Sequence, residues 1–334
     1  MSGGSRPPKT SASIRRWNSS TASEQLATVR EVCGTRGKAL LKSFDGGLAI
    51  GAGFKKSANE VSDEICLGVL VRRKVDEPHV RPVPKRVEVF LIRGGKRTKF
   101  SIPTDVEELG DGEPHAGLNL AQGVRAFNRT NAAQGVPGAV CCIVADTSVP
   151  PNHYVLGCRH VLALSLLTSG CAAFNATDVA DRAMTTRLAE LHATLPMAAN
   201  GRPCLDAAIS MIHPGSQVAW LAPGNVRALA IEPGVQQPSN CLVYTPNGPL
   251  PAIFVKEWAN VPLPYPSCGN VVIAAAYQFK SPTQGGHSGS PVMTPQGLLF
   301  GMHFWGDTAK QIAFAIPAFL LFQPGLFSVN FHLV

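Results

Sequence analysis

The sequence predicts a mainly β protein, with an all-β sandwich or barrel pair in roughly its last 220 residues and a small α/β module in front. Three observations carry this. Beyond residue 113, apolar runs of strand length alternate with Gly, Pro and Asn: GAVCCIVA, YVLGCRHVLAL, LDAAISMI, CLVYT, AIFVKEW, NVVIAAAYQF, PVMT and LLFGMHF. The chain holds 32 Gly and 27 Pro, above the roughly 12% background but below the ~25–30% of low-complexity sequence, as expected of many turns between short strands. Charge is segregated: residues 1–104 carry 20 Lys/Arg against 9 Asp/Glu, residues 105–113 carry five acids and no base, and the remainder has 10 bases against 8 acids. With 45% apolar and 16% charged residues, overall disorder is excluded.

The elements follow in order. Residues 1–22 are Ser/Arg/Pro-rich and aperiodic, which predicts an unstructured basic tail. Thr21 and Glu24 form a capping-box pattern leading into EQLATVREVCGTRGKALLKSF, a helix weakened by Gly34 and Gly37. LAIGAGF, EICLGVLVRRK and RVEVFLI read as strands, so one helix and three or four strands make a front domain over 23–113. A β-rich domain follows over 114–334. Within it RAMTTRLAELHATL, between Ala172 and Pro203, fits either a helix or a strand with loops.

No apolar signal segment is visible at the start, and the run Ile312–Phe322 spans eleven residues broken by Pro317, against ~20 for a membrane span. No membrane partner is expected. The nine cysteines are odd in number, dispersed and flanked by apolar residues, which points to reduced core thiols and a cytoplasmic setting rather than to disulfides. Cys158-x-His160 is the nearest approach to metal-ligand spacing, so neither a metal nor a cofactor is expected.

Chemistry concentrates in TQGGHSGSPV, residues 283–292. Nucleophilic serine chemistry needs a hydroxyl on a tight turn with backbone N–H groups facing the developing oxyanion, and flanking glycines permit that approach. Ser288 sits in such a setting, with Gly286 two residues before it and Gly289 directly after it, followed by a strand rather than by the helix of a nucleophile elbow. Upstream, His160 ends a strongly apolar run, and Asp206 is a carboxylate embedded in an apolar one. An ionised group there is costly unless paired, and orienting an imidazole is a recognised pairing. Taken singly, each has a plain structural reading as a core histidine, a buried acid or a turn.

Taken jointly, GCRHVL, LDAAI and GGHSGSPV resemble the motifs of the chymotrypsin/trypsin superfamily of serine peptidases, in the order His, Asp, Ser with separations of 46 and 82 residues. The resemblance implies a chymotrypsin-like double β-barrel with Ser288 as nucleophile, His160 as general base, Asp206 as its orienting acid, and the N–H groups of Gly286 and Ser288 as oxyanion hole. VSDEICLGVLVRRK and SIPTDVEEL further resemble the front segment of bacterial trypsin-like proteins without a signal sequence. His287 replaces the acid that binds a newly released N-terminus in many relatives, so activation by N-terminal insertion is not expected. Arg159 and Phe304 replace smaller residues around the His and Asp, and Val161 replaces a disulfide cysteine. Thr283 and His303 occupy the offsets at which glutamate-specific relatives hold a substrate carboxylate, with Trp305 beside them, whereas Pro282 argues against Lys or Arg specificity.

The expected activity is serine endopeptidase action on protein or peptide, with a preference for acidic residues. Two other classes stand beside it: a catalytically silent scaffold, and nucleic-acid binding through the basic front. The basic clusters 72–74 and 93–99 interleave with only three phenylalanines and read better as a solvated face with a turn, which disfavours nucleic acid. A regulatory partner of the front domain is not named by any residue.

Overall fold

The computed structural model describes residues 11–57, 60–74, 82–114, 124–128, 131–163, 177–181, 187–197, 201–216, 240–265, 269–328 and 330–333. The chain divides into two compact units, Met1–Glu108 and Leu109–Val334.

The first unit holds α1 (Ala12–Ser19), α2 (Ala22–Ser43), β1 (Gly47–Ser57), β2 (Glu60–Val71), β3 (Arg86–Arg93) and β4 (Lys96–Glu108). Its sheet runs β1-β2-β4-β3, with β2 and β4 parallel and the other pairs antiparallel. The capping box forms as the sequence predicts: Thr21 Oγ1 accepts from Glu24 N–H and the Glu24 carboxylate accepts from Thr21 N–H. The helix runs through Gly34 and Gly37, because Leu26, Val29 and Val32 bury one face. Arg93–Lys96 closes β3 onto β4 through Gly94 and Gly95, both at positive φ, the turn expected of RGGK.

Residues 11–20 correct the expectation of an unstructured tail. Ser11 caps α1 by accepting from Ile14 N–H, Trp17 is buried, and the Arg16 guanidinium donates to Lys99 O at 2.7 Å. One buried indole and two anchoring contacts supply what the polar composition conceals. The first ten residues of that tail lie outside the described residues.

The second unit holds β5 (Glu113–Pro114), β6 (Val124–Asn128), β7 (Asn131–Gly138), β8 (Cys142–Asp146), β9 (His153–Gly157), α3 (Arg159–Leu162), β10 (Thr177–Asp181), β11 (Arg187–Thr194), β12 (Ala208–Ile212), β13 (Asn240–Thr245), β14 (Gly248–Tyr265), β15 (Gly269–Lys280), β16 (Pro291–Met293), β17 (Leu299–Asp307), β18 (Ile312–Pro317), α4 (Ala318–Leu321) and β19 (Phe331–Leu333). RLAELHAT is therefore strand β11, paired with β10 and β12. An eight-stranded antiparallel sheet runs β19-β8-β9-β12-β11-β10-β6-β7. The remaining long strands run β13-β16-β17-β18-β15-β14, and β14 pairs back onto β13, closing a six-stranded antiparallel barrel. Closure removes exposed strand edges. Phe254, Tyr277, Phe279 and Phe300 pack edge-on and stacked in the barrel core. The fold is mainly β, as the strand-sized runs predict, and its two β assemblies correspond to the expected barrel pair.

Leu109–Glu113, which the sequence assigns to the front domain, belong to the second unit, because β5 pairs with β17. Cys142, Cys158 and Cys241 are buried free thiols; Cys171 and Cys268 lie outside the described residues.

Candidate active site

His160 stands on the one-turn helix α3, directly after strand β9. Asp206 precedes β12 and is seated by its flanks: Cys204 N–H donates to Val272 O (2.9 Å), Ala274 N–H to Cys204 O (2.8 Å) and Leu195 N–H to Ala207 O (3.0 Å). The antiparallel pairing of β12 with β9 and a parallel bridge from Cys204 to Ile273 thus bring together two residues 46 positions apart.

Both side chains are fully buried. His160 Nδ1 lies 2.5 Å from Asp206 Oδ2, and His160 backbone N–H donates to Asp206 Oδ1 at 3.0 Å. With the carboxylate as acceptor, Nδ1 carries the proton and the Nε2 lone pair is left for chemistry. Tyr265, the last residue of β14, donates its phenol to Asp206 Oδ2 at 2.8 Å. Burial by itself would raise the Asp206 carboxyl, but the charge and hydrogen bonds of His160 and the bond from Tyr265 outweigh it and hold the group below the usual carboxylate range. Burial, with the Asp206 charge second, pushes the Tyr265 phenol well above its ordinary value, so it stays a donor.

Ser288 lies on the turn before β16, which two clamps hold in place. Ala139 N–H donates to Ser288 O (2.8 Å), and Gly289 N–H donates to His303 O (2.8 Å). Gly289 has φ +94°, and a Cβ there would collide with the Ala139 carbonyl, so only glycine lets the two backbones meet. His287 N–H closes a turn onto Gln284 O (3.1 Å) with Gly286 at φ +92°, the signature of a type II turn. Among the described residues, the N–H groups of Gly286 and Ser288 donate to no acceptor.

The Ser288 hydroxyl donates to Phe304 O at 3.1 Å, and His160 Nε2 is buried without a hydrogen-bond partner. The expected Ser–His hydrogen bond is therefore not made in this arrangement, because a main-chain acceptor on β17 competes for the hydroxyl. Rotation about one side-chain bond redirects a serine hydroxyl.

Tyr265 thus adds a third hydrogen bond to the buried Asp206 carboxylate beside the two from His160. Sequence reasoning misses Tyr265, since it lies 59 residues from Asp206 and nothing local marks it. Arg159 is buried; burial lowers its pKa and the Asp206 charge acts to raise it.

The specificity candidates are placed as follows. Thr283 is buried in the loop between β15 and β16, and its Oγ1 has no hydrogen-bond partner. His303, buried on β17, donates Nδ1–H to Phe314 O at 3.1 Å. No hydrogen bond joins the two. Trp305 follows on β17, fully buried, its indole N–H without an acceptor. His287 is 2% exposed and accepts Gln284 N–H on Nδ1; burial pushes its pKa down to about 4.

Cys158 Sγ, His160 and Asp206 lie within metal-ligand spacing of one another. The arrangement reads as a hydrogen-bond network, because Cys158 donates its thiol to His303 O (3.3 Å) and burial, with the Asp206 charge second, pushes that thiol well above its ordinary value.

No protein-family model matches the chain, and no curated protein does. Among solved structures it is similar to Thermobifida fusca Protease A, at 14% identity over 64% of this chain and 99% of that one, with a TM-score of 0.42. It is similar to Nocardiopsis protease, at 12% identity over 64% and 100%, with a TM-score of 0.41. A third is the active form of the Rv3671c protease from M. tuberculosis, at 17% identity over 57% and 82%, with a TM-score of 0.36.

Proposed function

We propose that the chain is a serine endopeptidase. The observation that supports this most is the buried His160–Asp206 pair, which has the protonation pattern a general base needs, beside a clamped serine turn whose Gly286 and Ser288 N–H groups donate to no acceptor among the described residues. In the proposed reaction the Ser288 hydroxyl turns from Phe304 O to His160 Nε2, which takes its proton as Oγ attacks the substrate carbonyl. The Gly286 and Ser288 N–H groups bind the resulting oxyanion. His160 then protonates the leaving amine, and the acyl-enzyme is cleaved by a water that His160 deprotonates in the same way.

The proposal extends to acidic specificity. A buried threonine hydroxyl beside the serine turn can donate to a carboxylate, and His303, whose Nδ1–H is engaged by Phe314 O, can donate from Nε2 as an imidazolium; desolvation strengthens such bonds. We further propose an intracellular setting, for which the buried thiols of Cys142, Cys158 and Cys241 are the support.

A serine-directed fluorophosphonate tests the reading. Wild type should be labelled and Ser288→Ala should not; a folded wild type that resists labelling would overturn it. In a peptide library, cleavage should follow Glu or Asp and lose that preference in His303→Ala. Cleavage after large apolar residues, indifferent to that change, would remove the acidic preference and leave the peptidase reading intact.

A further inference from the structure

Strand β17 pairs along one edge with β18. Its other edge is shared in sequence. Met302 pairs with Pro291 of β16, His303 exchanges hydrogen bonds with Ser290 (2.9 Å) and Gly289 (2.8 Å), and Phe304 O accepts the Ser288 hydroxyl. Past that point β16 no longer covers the edge, which continues through Trp305 and Gly306 directly away from the nucleophile turn. An extended peptide reaching Ser288 along this edge gains main-chain hydrogen bonds by strand addition.

The chain fills that edge with its own backbone. β5 pairs antiparallel with β17, Glu113 opposite Gly306 and Pro114 opposite Trp305. The direction matters: the segment runs from its N-terminal side far from Ser288 toward its C-terminal side nearer to it. A substrate must take the same direction for its acyl half, since the residues N-terminal to the scissile bond are the ones that remain attached to the serine.

The fit is specific to this segment. A Cβ on Gly112 would collide with the Trp305 indole and come within 2.5 Å of Gly306 O, so glycine alone lies flat there. Leu109 is buried, whereas Asp111 and Glu113 are exposed. The acidic side chains thus point away, and backbone with small residues makes the contact.

We infer that Leu109–Pro114 is an intramolecular occupant of the acyl-side substrate edge, restraining the enzyme until a peptide displaces it; this rests on the serine peptidase reading above. A tethered occupant competes at an effective concentration in the millimolar range, so a substrate that needs the edge meets a raised KM, whereas a small reagent that needs only Ser288 does not.

The experiment compares wild type with Gly112→Val, using a small fluorophosphonate and an extended chromogenic peptide. Both proteins should label at the same rate. The variant should hydrolyse the peptide with kcat unchanged and kcat/KM raised roughly tenfold or more. A synthetic peptide of residues 108–114 should inhibit the variant competitively. Equal labelling with unchanged or reduced kcat/KM would overturn the inference and leave the peptidase reading standing. Failure of both proteins to label would overturn that reading and the inference with it. Should the variant not fold, hydrogen exchange on wild type decides: the Leu109–Glu113 amides should lose protection when an extended peptide aldehyde binds Ser288, and retained protection would refute the occupant.

Discussion

Replacing His287 with Asn should flatten the acid limb of the stability curve. His287 is 2% exposed, and its Nδ1 already accepts Gln284 N–H, so the folded protein holds it neutral with a pKa of about 4. In the unfolded chain the value returns to about 6.5. Between those two values the unfolded chain binds more protons, so its share grows as pH falls. The stability due to neutral His287 is complete above the unfolded value and is lost as pH falls toward the folded one. The loss amounts to roughly 2 kcal/mol between pH 8 and pH 5, and about 3 kcal/mol below both pKa values. In His287→Asn, Oδ1 can accept the Gln284 N–H while nothing at the position titrates. Urea unfolding of both proteins across that range measures the difference, which isolates His287 from the carboxylates common to both. Parallel curves would refute the argument, because they would mean that the imidazole is hydrated or protonated in the fold.

Asp206→Asn should fold and lose about 10⁴-fold in kcat/KM, since an amide facing Nδ1 stabilises the wrong tautomer; steady-state kinetics checks this. Tyr265→Phe removes one of three hydrogen bonds to a buried carboxylate and should cost about 1.5–3 kcal/mol, read by chemical denaturation at neutral pH. Asp206 has a depressed folded pKa, so its stabilisation is present above the unfolded value and lost as pH falls through the folded one; Tyr265→Phe should move that loss to higher pH. Gly289→Ala forces a Cβ onto the Ala139 carbonyl at positive φ and should lower stability by about 2 kcal/mol or more, visible as a fall in melting temperature.

Most of the fold was legible because local chemistry sets it. The Thr21–Glu24 box starts α2 where expected, and the strand-sized runs supply most of the described strands, although the RHVL of YVLGCRHVLAL forms the one-turn helix α3 instead. The pairing of His160 with Asp206 was legible because an ionised carboxylate in an apolar run needs a partner, and an imidazole ending another such run can be one. What could not be read depends on single contacts distant in sequence. Tyr265 reaches Asp206 only through the length and register of β14 and β15. The Ser288 hydroxyl turns to Phe304 O because β17 brings that carbonyl within reach, a choice no motif encodes. β5 has no periodicity in two residues, so the acidic stretch around it read as a boundary of the front domain. Trp17 in the polar leader was a visible signal, since an indole rarely stays exposed, but the aperiodic composition around it masked the helix.

The most direct test of the account is the covalent intermediate itself. Wild type should be mixed with a slowly deacylating peptide ester, quenched in acid and digested, and the peptide bearing Ser288 examined by mass spectrometry. The account predicts an acyl group on Ser288, released with a stoichiometric burst of alcohol and absent from Ser288→Ala. Hydrolysis that persists in Ser288→Ala, or turnover by wild type with no acyl group on Ser288, would contradict it.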